Sequence, residues 1–540
     1  MGFFSLYLAQ MRTPVGDFDG AIARILSHAQ TAKAQGAHLA VFPELALCGY
    51  PAEDWLLVPH FIDKNQKALC ALAQKSADLP PMIIGTPWRE NGKLYNAAAL
   101  VFQGGIQDIT TKQALPNYGV FDESRYFAND RPPRLFSVAG VRVSVPICQD
   151  FWQPNVMQRY HDLKPDFTVV INASPYEIGK HEHRLQNAAQ CPTPVVYVNR
   201  VGGQDGLVFD GRSFVYHNGL HQILPLAEEA GCTVSLSPIP TPQRHHPISE
   251  EEEIYTILKR GLKDYVEAAK PRKVLLGLSG GMDSALTAAI AVDALGVQRV
   301  YGVMLPSVYT SEASLKDATF VARALNIDLL IVPLLSAMEA LETLLDHPIG
   351  TTHENLQARL RGVILMAHAN KNNDLLLNTS NKSETAMGYA TLYGDMCGGL
   401  AVLKDVYKTQ VYRLARWRNT QGIVFNESTL AKAPTAELRP DQKDTDSLPP
   451  YDRLDPLLQH FIEGYGGMDD VGPLGFTPAE AEKVFRALHG AEYKRRQAPL
   501  GIKVTTRAFG PDWRFPVMRG TPWGSHGYGD SQVHHNRKIN

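Results

Sequence analysis

Short apolar runs alternate with amphipathic segments along the first 240 residues. Runs rich in β-branched residues lie at 6–8, 39–42, 82–84, 141–145, 168–171 and 195–198, and residues 20–34 and 61–75 carry apolar positions at helical spacing. Strand-length and helix-length segments that alternate in this way predict an α/β domain.

A second alternating series follows further along the chain. Apolar runs at 273–278, 300–305, 329–333 and 375–378 are separated by segments long enough for a helix. Consecutive right-handed βαβ units require this spacing. The series therefore predicts a doubly wound parallel sheet.

The two series are separated by a segment of different composition. Residues 237–248 are rich in proline and polar residues and lack periodicity, which is typical of a semi-rigid linker. We place the linker at 241–249, between domains 1–240 and 250–540. Ser249 followed by Glu252 has capping-box spacing, and the acidic run 250–253 suits the positive end of a helix dipole, so a helix is predicted to begin here.

Composition limits the class of protein. Of 540 residues, 44% are hydrophobic and 20% are charged, which is typical of a globular chain. Lys plus Arg number 53 and Asp plus Glu number 55, so the net charge of −2 provides no basic field for nucleic acid. No secretion signal and no apolar run of membrane-spanning length is apparent, which predicts a protein that does not bind a membrane.

The cysteines and the C-terminal histidines add two expectations. Six cysteines without metal-type spacing are too sparse for a disulfide framework and favour a cytoplasmic location. The Gly- and His-rich segment 520–540 is interpreted as a flexible tail rather than as a metal site built from His526, His534 and His535.

A glycine-rich turn follows the first strand of the second series. The run at 274–278 is followed by SGGMDS at 279–284 and then by a helical pattern at 285–295, so backbone N–H groups at a helix N-terminus converge on one point. Such a point suits phosphate. The loop lacks the lysine of a Walker A motif, and a plain strand-to-helix turn is the alternative.

The six-residue string resembles the pyrophosphatase loop of the ATP-pyrophosphatase superfamily. Four further strings narrow the resemblance to NAD synthetases, and they are ENLQAR at 354–359, TSNKSE at 379–384, GYATLYGD at 388–395 and APTAELRPDQ at 433–442. LPPYDRLD at 448–455 and EYKRRQ at 492–497 extend it over nearly all of the second domain. The resemblance implies a Rossmann-like ATP-pyrophosphatase domain.

That resemblance also implies site residues. The ATP-binding set is Gly277, Leu278, Ser279, Gly280, Gly281, Met282, Asp283, Ser284 and Thr379, and the set that contacts deamido-NAD is Asn355, Glu384 and Lys494. Asp283 and Glu384 would also hold Mg²⁺, an ion that prefers one or two carboxylates together with phosphate oxygens. The alternatives are a helix N-terminal acid for Asp283 and a solvated loop charge for Glu384.

One cysteine in the first domain stands at the end of an apolar run. Cys148 follows 143–147, whereas the other five cysteines are interpreted as small buried hydrophobic residues. A nucleophilic thiol needs a neighbouring base or positive charge. His181 and His183 lie on a predicted helix where exposure is expected, but VFPE at 41–44 and KQALPNY at 112–118 both follow strand ends.

These strings resemble nitrilase-type amidohydrolases, specifically the glutaminase domain of glutamine-dependent NAD synthetases. The resemblance implies an α-β-β-α sandwich in which Glu44 accepts a proton, Cys148 forms a thioester with glutamine and Lys112 stabilises the oxyanion. It further implies that Tyr118, Ser174 and Lys180 contact glutamine, with Glu123 near the triad. Arg12 departs from the asparagine that the family often carries in its first loop.

Together the two resemblances imply a ligase of NAD biosynthesis. Ammonia released from L-glutamine would convert deamido-NAD to NAD through an adenylated intermediate, with ATP as substrate and Mg²⁺ as cofactor, in a homo-oligomer formed through the second domain. A protected path for ammonia between the sites is a further hypothesis. Two alternatives stay open, an amidotransferase with another carboxylate or nucleotide acceptor and a nucleotide-binding regulatory protein with decayed sites.

Overall fold

A computed structural model describes residues 4–243 and 247–518 of the chain. The predicted tail at 520–540, with His526, His534 and His535, lies outside the described residues, as does part of the predicted linker. Among the described residues, no helix is long and apolar enough to cross a membrane.

The first half of the chain is built mainly from strands. Its strands are β1 (Phe4–Gln10), β2 (Leu39–Val41), β3 (Met82–Glu90), β4 (Lys93–Phe102), β5 (Gly105–Thr111), β6 (Leu135–Val138), β7 (Val141–Ser144), β8 (Phe167–Asn172), β9 (Val195–Asn199), β10 (Val201–Gln204), β11 (Leu207–Asp210), β12 (Phe214–Tyr216), β13 (Leu220–Ile223) and β14 (Ala230–Ser237). Its α-helices are α1 (Phe18–Ala34), α2 (Pro59–Lys75), α3 (Pro154–Asp162) and α4 (Lys180–Ala189), and short 3₁₀ turns lie at Glu53–Leu57, Glu123–Arg125 and Cys148–Trp152.

Two mixed six-stranded sheets pack face to face in this half. Their strand orders are β14-β1-β2-β3-β4-β5 and β13-β12-β9-β8-β7-β6. Leu6 and Val41 of one sheet and Val169 and Val196 of the other share one apolar core. Helices α1 and α2 cover the outer face of the first sheet, and α3 and α4 cover that of the second. The predicted α-β-β-α sandwich is confirmed.

The second half of the chain contains more helix. Its strands are β15 (Val274–Gly277), β16 (Val300–Met304), β17 (Asp328–Ile331), β18 (Leu375–Asn378), β19 (Leu400–Ala401) and β20 (Leu500–Gly501). Its α-helices are α5 (Glu250–Ala269), α6 (Met282–Leu295), α7 (Glu312–Ala324), α8 (Leu335–Leu344), α9 (Thr351–Asn372), α10 (Lys382–Met387), α11 (Lys408–Thr420), α12 (Glu427–Ala431), α13 (Tyr451–Ile462), α14 (Pro478–Gly490) and α15 (Glu492–Arg495), and 3₁₀ turns lie at Val297–Arg299, Asp444–Asp446 and Gly472–Leu474.

These six strands form one parallel sheet in the order β17-β16-β15-β18-β19-β20. Successive side chains of β15 point to opposite faces, so Val274 and Leu276 join a core with α5, α6 and α11, whereas Leu275 joins a core with α8 and α9. Helices on both faces leave the central strands β15, β16 and β18 largely buried, which explains their continuous apolar runs, whereas the edge strand β17 is mostly exposed. The predicted doubly wound parallel sheet is confirmed.

Helix α5 joins the two halves. Its N-cap Ser249 accepts a hydrogen bond from the Glu252 amide at 3.2 Å, as the sequence predicts. The helix packs against β10 and β11, and its Asp264 lies 3.1 Å from the guanidinium of Arg12. The residue that departs from the family pattern therefore forms an ion pair between the two halves.

Candidate active sites

Glu44, Lys112 and Cys148 lie in one buried cluster at the centre of the sandwich. Glu44 follows β2, Lys112 follows β5, and Cys148 begins the 3₁₀ turn after β7. The Lys112 Nζ lies 2.7 Å from Glu44 Oε1 and 2.8 Å from Glu123. The structure thus brings the predicted triad and Glu123 together, although they are separated by up to 104 positions in sequence (44 to 148).

Several contacts fix Glu44 and Glu123. Besides Lys112, Glu44 accepts hydrogen bonds from the Asn96 amide side chain at 2.7 Å and from the Ala173 backbone N–H at 2.8 Å. The Tyr50 hydroxyl donates to Glu123 at 2.9 Å. Sequence reasoning missed Asn96 and Tyr50 because a single Asn or Tyr within a strand or loop carries no motif.

Asp150 connects the Lys112 loop to the Cys148 turn. Its carboxylate accepts hydrogen bonds from the backbone N–H groups of Gln113 at 2.9 Å, Ala114 at 2.7 Å and Ile147 at 3.0 Å. Burial raises the pKa of this carboxyl to about 7, and the three amides oppose that shift. Cys148 itself has a φ of 46°, in the left-handed region that non-glycine residues rarely adopt.

The electrostatics of the cluster favour a charged lysine and a neutral thiol. Burial disfavours charged Lys112, but the carboxylates of Glu123 and Glu44 outweigh burial and raise the pKa of the lysine. Burial, followed by the charge of Glu44, raises the pKa of the Cys148 thiol. At neutral pH the free site therefore holds an ammonium and a protonated thiol, and the thiol needs a proton acceptor before it can attack.

Two of the three predicted glutamine contacts, Tyr118 and Ser174, adjoin this cluster, and the third, Lys180, lies at the start of α4. Tyr118 is half exposed and donates a hydrogen bond to Gln149 Oε1 at 2.7 Å, next to Cys148 in sequence. Ser174 is buried after the end of β8. Lys180 begins α4 and lies 3.3 Å from Glu177, and burial lowers the pKa of its ammonium. Their role in glutamine binding stays a prediction.

Two expectations about the first half were wrong. His181 is buried against the ring of Phe214, and burial lowers its pKa to about 3, whereas His183 is exposed as expected. Cys48 is buried as expected, but Cys70 is exposed on the solvent side of α2. Cys191 and Cys232, like Cys397 in the second half, are only partly buried. Neither change affects the choice of Cys148.

A second site lies at the carboxyl edge of the parallel sheet. A cleft of about 300 Å³ is lined by the whole loop 277–284, by Thr379 and Glu384, and by residues 432–438. Gly280 has a φ of +85°, and a Cβ atom there would lie 2.3 Å from the Ser314 carbonyl oxygen. Only glycine fits this turn. The Ser284 hydroxyl accepts a hydrogen bond from the Ser279 N–H at 3.2 Å and so links the two ends of the loop.

Asp283 and Glu384 converge at the base of the cleft. Asp283 lies in the first turn of α6, and Glu384 lies in the first turn of α10, so Glu384 is not a loop residue. Asn381 contacts both, donating to the Asp283 carboxylate at 2.9 Å and accepting from the Glu384 N–H at 2.9 Å. Helix N-termini favour carboxylates, so the fold itself stabilises this pair.

Lys408, at the start of α11, bridges the two acids. Its ammonium contacts the Asp283 carboxylate and lies 3.0 Å from Glu384 Oε1. Burial opposes its charge, but Asp283 and Glu384 outweigh burial and raise the pKa of the lysine. Sequence reasoning missed Lys408, because a single lysine at a helix start carries no motif.

The pair of acids fits the divalent ion that the family implies. Two carboxylates that already share one cation can instead share Mg²⁺, which takes its remaining ligands from phosphate and water. Among the residues that the structure describes, no cluster of three or more His, Cys, Asp or Glu side chains could hold a metal alone.

The structure does not place the other two predicted dinucleotide contacts on the cleft wall. Asn355 accepts a hydrogen bond from the Thr391 hydroxyl at 2.9 Å, and Lys494 donates to the carbonyls of Gly388 at 2.8 Å and Ala390 at 2.6 Å. Both residues hold the 388–395 loop, whose Asp395 does line the cleft. Their contact with a dinucleotide stays a prediction.

Comparisons with known proteins match both halves. The carbon-nitrogen hydrolase family model matches residues 7–222, and the NAD synthase family model matches residues 254–498. The chain is 42% identical to the glutamine-dependent NAD(+) synthetase of Acinetobacter baylyi, over 96% of this chain and 99% of that protein. It is 40% identical to the Thermotoga maritima protein of the same name, over 94% and 97%.

A solved structure agrees over the same length. Glutamine-dependent NAD+ synthetase from Acinetobacter baumannii, in complex with ADP, aligns with a TM-score of 0.76 at 39% identity and covers 95% of this chain and 98% of that chain. The likeness therefore extends across both halves.

Proposed function

Since the chain belongs to the glutamine-dependent NAD(+) synthetases, ligases with a glutaminase domain, we propose that it amidates deamido-NAD to NAD with ammonia from L-glutamine and energy from ATP. The observation that carries the proposal is that one chain holds both the buried Glu44–Lys112–Cys148 cluster and the glycine-loop cleft.

In the first site, Cys148 Sγ attacks the γ-carbonyl carbon of glutamine. The thiol proton passes to Glu44, and the carbonyl oxygen becomes an oxyanion that the Lys112 ammonium stabilises. When the tetrahedral intermediate collapses, Glu44 returns the proton to the departing nitrogen and ammonia leaves. Water then hydrolyses the thioester, giving glutamate and free Cys148.

The charge state of the site favours this order of events. Because the pKa of the Cys148 thiol is raised, its proton must be removed as the bond to carbon forms. Glu44 is held by three donors, Asn96, Lys112 and the Ala173 N–H, so its orientation is fixed before substrate arrives. Lys112 stays charged between its two carboxylates and supplies a positive charge to the oxyanion.

In the second site, the carboxylate of deamido-NAD attacks the α-phosphorus of ATP and pyrophosphate leaves. Ammonia then attacks the carbonyl carbon of the adenylate, and AMP leaves with the former carboxylate oxygen. Backbone N–H groups of residues 277–284 and the Lys408 ammonium suit the phosphates, and Thr379 lines the same cleft. Asp283 and Glu384 would hold Mg²⁺, which neutralises phosphate charge when bound.

Ammonia from the first site would have to reach the second without release to solvent. Free ammonia is largely protonated at neutral pH, and an enclosed path would keep it nucleophilic. Packing of α5 against β10 and β11 supports such a path, because it brings the two halves into continuous contact. An external ammonia scavenger should leave glutamine-dependent NAD formation intact, and its complete inhibition would contradict the path.

We also propose that the chain forms a homo-oligomer through its second half. Large apolar side chains are exposed along α8, α9 and the turn between them, and they include Leu335, Leu344, Leu345, Ile349 and Val363. An exposed apolar surface of this extent is typical of an interaction site. Sedimentation at several concentrations tests this, and a monomer throughout would contradict it.

The cytoplasm stays the proposed compartment, supported by six free cysteines.

Isotope transfer tests the proposed chemistry. Deamido-NAD labelled with ¹⁸O in the nicotinate carboxylate should deliver one label to AMP, and pyrophosphate should carry none. Label in orthophosphate or pyrophosphate would contradict an adenylated intermediate. Absence of NAD formation from deamido-NAD with either glutamine or ammonium would contradict the acceptor itself.

A further inference from the structure

A fully buried ion pair lies behind the glutamine side of the first site. The Arg184 guanidinium, on α4, forms two hydrogen bonds with the Asp210 carboxylate at the end of β11, at 2.7 and 3.0 Å. Both side chains are shielded from solvent, with exposures of 0% and 2%. Neither residue belongs to the triad or to the predicted glutamine contacts.

The pair directs its remaining hydrogen bonds to one residue. Arg184 donates to the Ser174 carbonyl at 3.1 Å and to the Ser174 hydroxyl at 3.2 Å. Asn199, which also donates to Asp210 at 3.3 Å, accepts from the Ser174 N–H at 3.0 Å and donates to its carbonyl at 3.1 Å. The N–H, carbonyl and hydroxyl of Ser174 are therefore all engaged by this network.

The energetics indicate that stability alone does not explain the pair. Removing two charges from water offsets most of their attraction, and an apolar pair of similar volume often stabilises a fold as well or better. The Arg184 Nε also lies buried without a partner, which adds to the cost. The Arg184 guanidinium, held by Asp210, instead presents its N–H donors in one fixed geometry.

The Arg184 network lies next to the chemistry along the chain. Ser174 follows Ala173, whose N–H binds Glu44 Oε2 at 2.8 Å, and Lys180 stands one helical turn before Arg184 on α4. The pair therefore supports the segment that lies between the triad and the predicted glutamine contacts.

We propose that Arg184 and Asp210 are positioning residues for glutamine recognition, acting through the fixed placement of Ser174 without touching the substrate. This inference rests on the proposed glutaminase function. Arg184→Lys keeps the positive charge and loses the planar guanidinium, whereas Asp210→Asn keeps the shape of the side chain and loses its negative charge. Each should raise the KM for glutamine about tenfold or more and change kcat at saturating glutamine by less than about threefold.

A double-mutant cycle tests whether Arg184 acts through Ser174. Ser174→Ala alone should raise the KM for glutamine, and Arg184→Lys added to Ser174→Ala should raise it little further, because their effects share one contact. Multiplicative effects of the two substitutions would overturn the proposal. The control is Arg142→Lys, an exposed arginine whose side chain lies 3.5 Å from Asp166, and it should leave the KM unchanged.

Two further measurements distinguish a role in glutamine recognition from a purely structural role. Ammonium-dependent NAD formation should stay at the wild-type rate in every variant, which reports an intact second site. Inactivation by iodoacetamide, followed as loss of glutamate release, should keep its wild-type rate constant, because that reaction needs Cys148 and not Ser174. A loss of iodoacetamide reactivity equal to the loss in kcat/KM would overturn the proposal, since the pair would then support the triad. If wild-type protein releases no glutamate, the proposed function fails instead.

Discussion

The glycine at position 280 offers a quantitative test of the phosphate loop. A Cβ atom at Gly280 would lie 2.3 Å from the Ser314 carbonyl oxygen, and contacts below 3.0 Å are essentially never found. Gly280→Ala must therefore move the loop or the start of α7 by about 0.7 Å, from 2.3 to 3.0 Å. The Ser314 carbonyl cannot easily retreat, because the Ser314 hydroxyl is held by Glu437 at 2.8 Å.

The displacement predicts a large kinetic effect. A misplacement of about 1 Å at a reacting group costs on the order of a hundredfold in rate, so Gly280→Ala should lower the ATP-dependent kcat/KM by roughly tenfold to a hundredfold. The positive φ adds a stability cost of about 1–2 kcal/mol for any residue with a Cβ. NAD formation at saturating ammonium, measured against ATP concentration, isolates the second site from the first.

A matched glycine separates the clash from the backbone cost. Gly475 has a φ of +77°, and no atom lies within 4 Å of the position that a Cβ would occupy there, so Gly475→Ala carries the backbone cost without the clash. It should lower the unfolding midpoint and leave the kcat/KM for ATP unchanged. Wild-type kinetics in Gly280→Ala, or an equal kinetic loss in Gly475→Ala, would refute the argument from loop geometry.

Three further outcomes are expected. Lys112→Met should abolish glutamate release, because no cation remains for the oxyanion, while ammonium-dependent NAD formation persists; retained glutaminase activity would contradict this role. Lys408→Met should lower NAD formation with both nitrogen donors by at least about tenfold, since the variant loses the cation that contacts Asp283 and Glu384 and that we propose contacts phosphate, and an effect confined to glutamine would contradict it. His181, whose pKa falls from 6.5 to about 3 on burial, costs stability as pH falls below its unfolded value, because only the unfolded chain binds the proton. His181→Leu should therefore lose less thermal stability than wild type between pH 7 and pH 5, and parallel losses would contradict this.

Sequence patterns predicted the layers of the fold because the apolar pattern of a single strand or helix already indicates which of its faces are buried. Residues 274–276 are apolar on both faces of β15, and that continuity predicts a parallel strand covered on both sides. The strands β4–β6, β10–β14, β19 and β20 were missed. Short or partly exposed strands such as β5, β10 and β13 carry weaker patterns than a buried run, and the long buried strand β4 contains three consecutive alanines, a residue that is depleted in strands.

The residues of the candidate sites also fall into two groups, those that a local string identifies and those that only contacts across the fold reveal. Glu44, Lys112 and Cys148 follow strand ends within recognisable strings, so the sequence could identify them together. Asp150 and Lys408 could not be found in this way, because their importance lies in contacts made across the fold, with backbone amides in one case and with Asp283 and Glu384 in the other. Such residues become visible only when distant segments are brought together.

The most direct test of the account compares nitrogen donors in Cys148→Ala. With deamido-NAD and MgATP, the folded variant should form NAD from ammonium at the wild-type rate and form none from glutamine, because only the first site loses its nucleophile. Continued use of glutamine would contradict Cys148 as the nucleophile, and loss of the ammonium reaction in a folded variant would contradict two chemically separate sites.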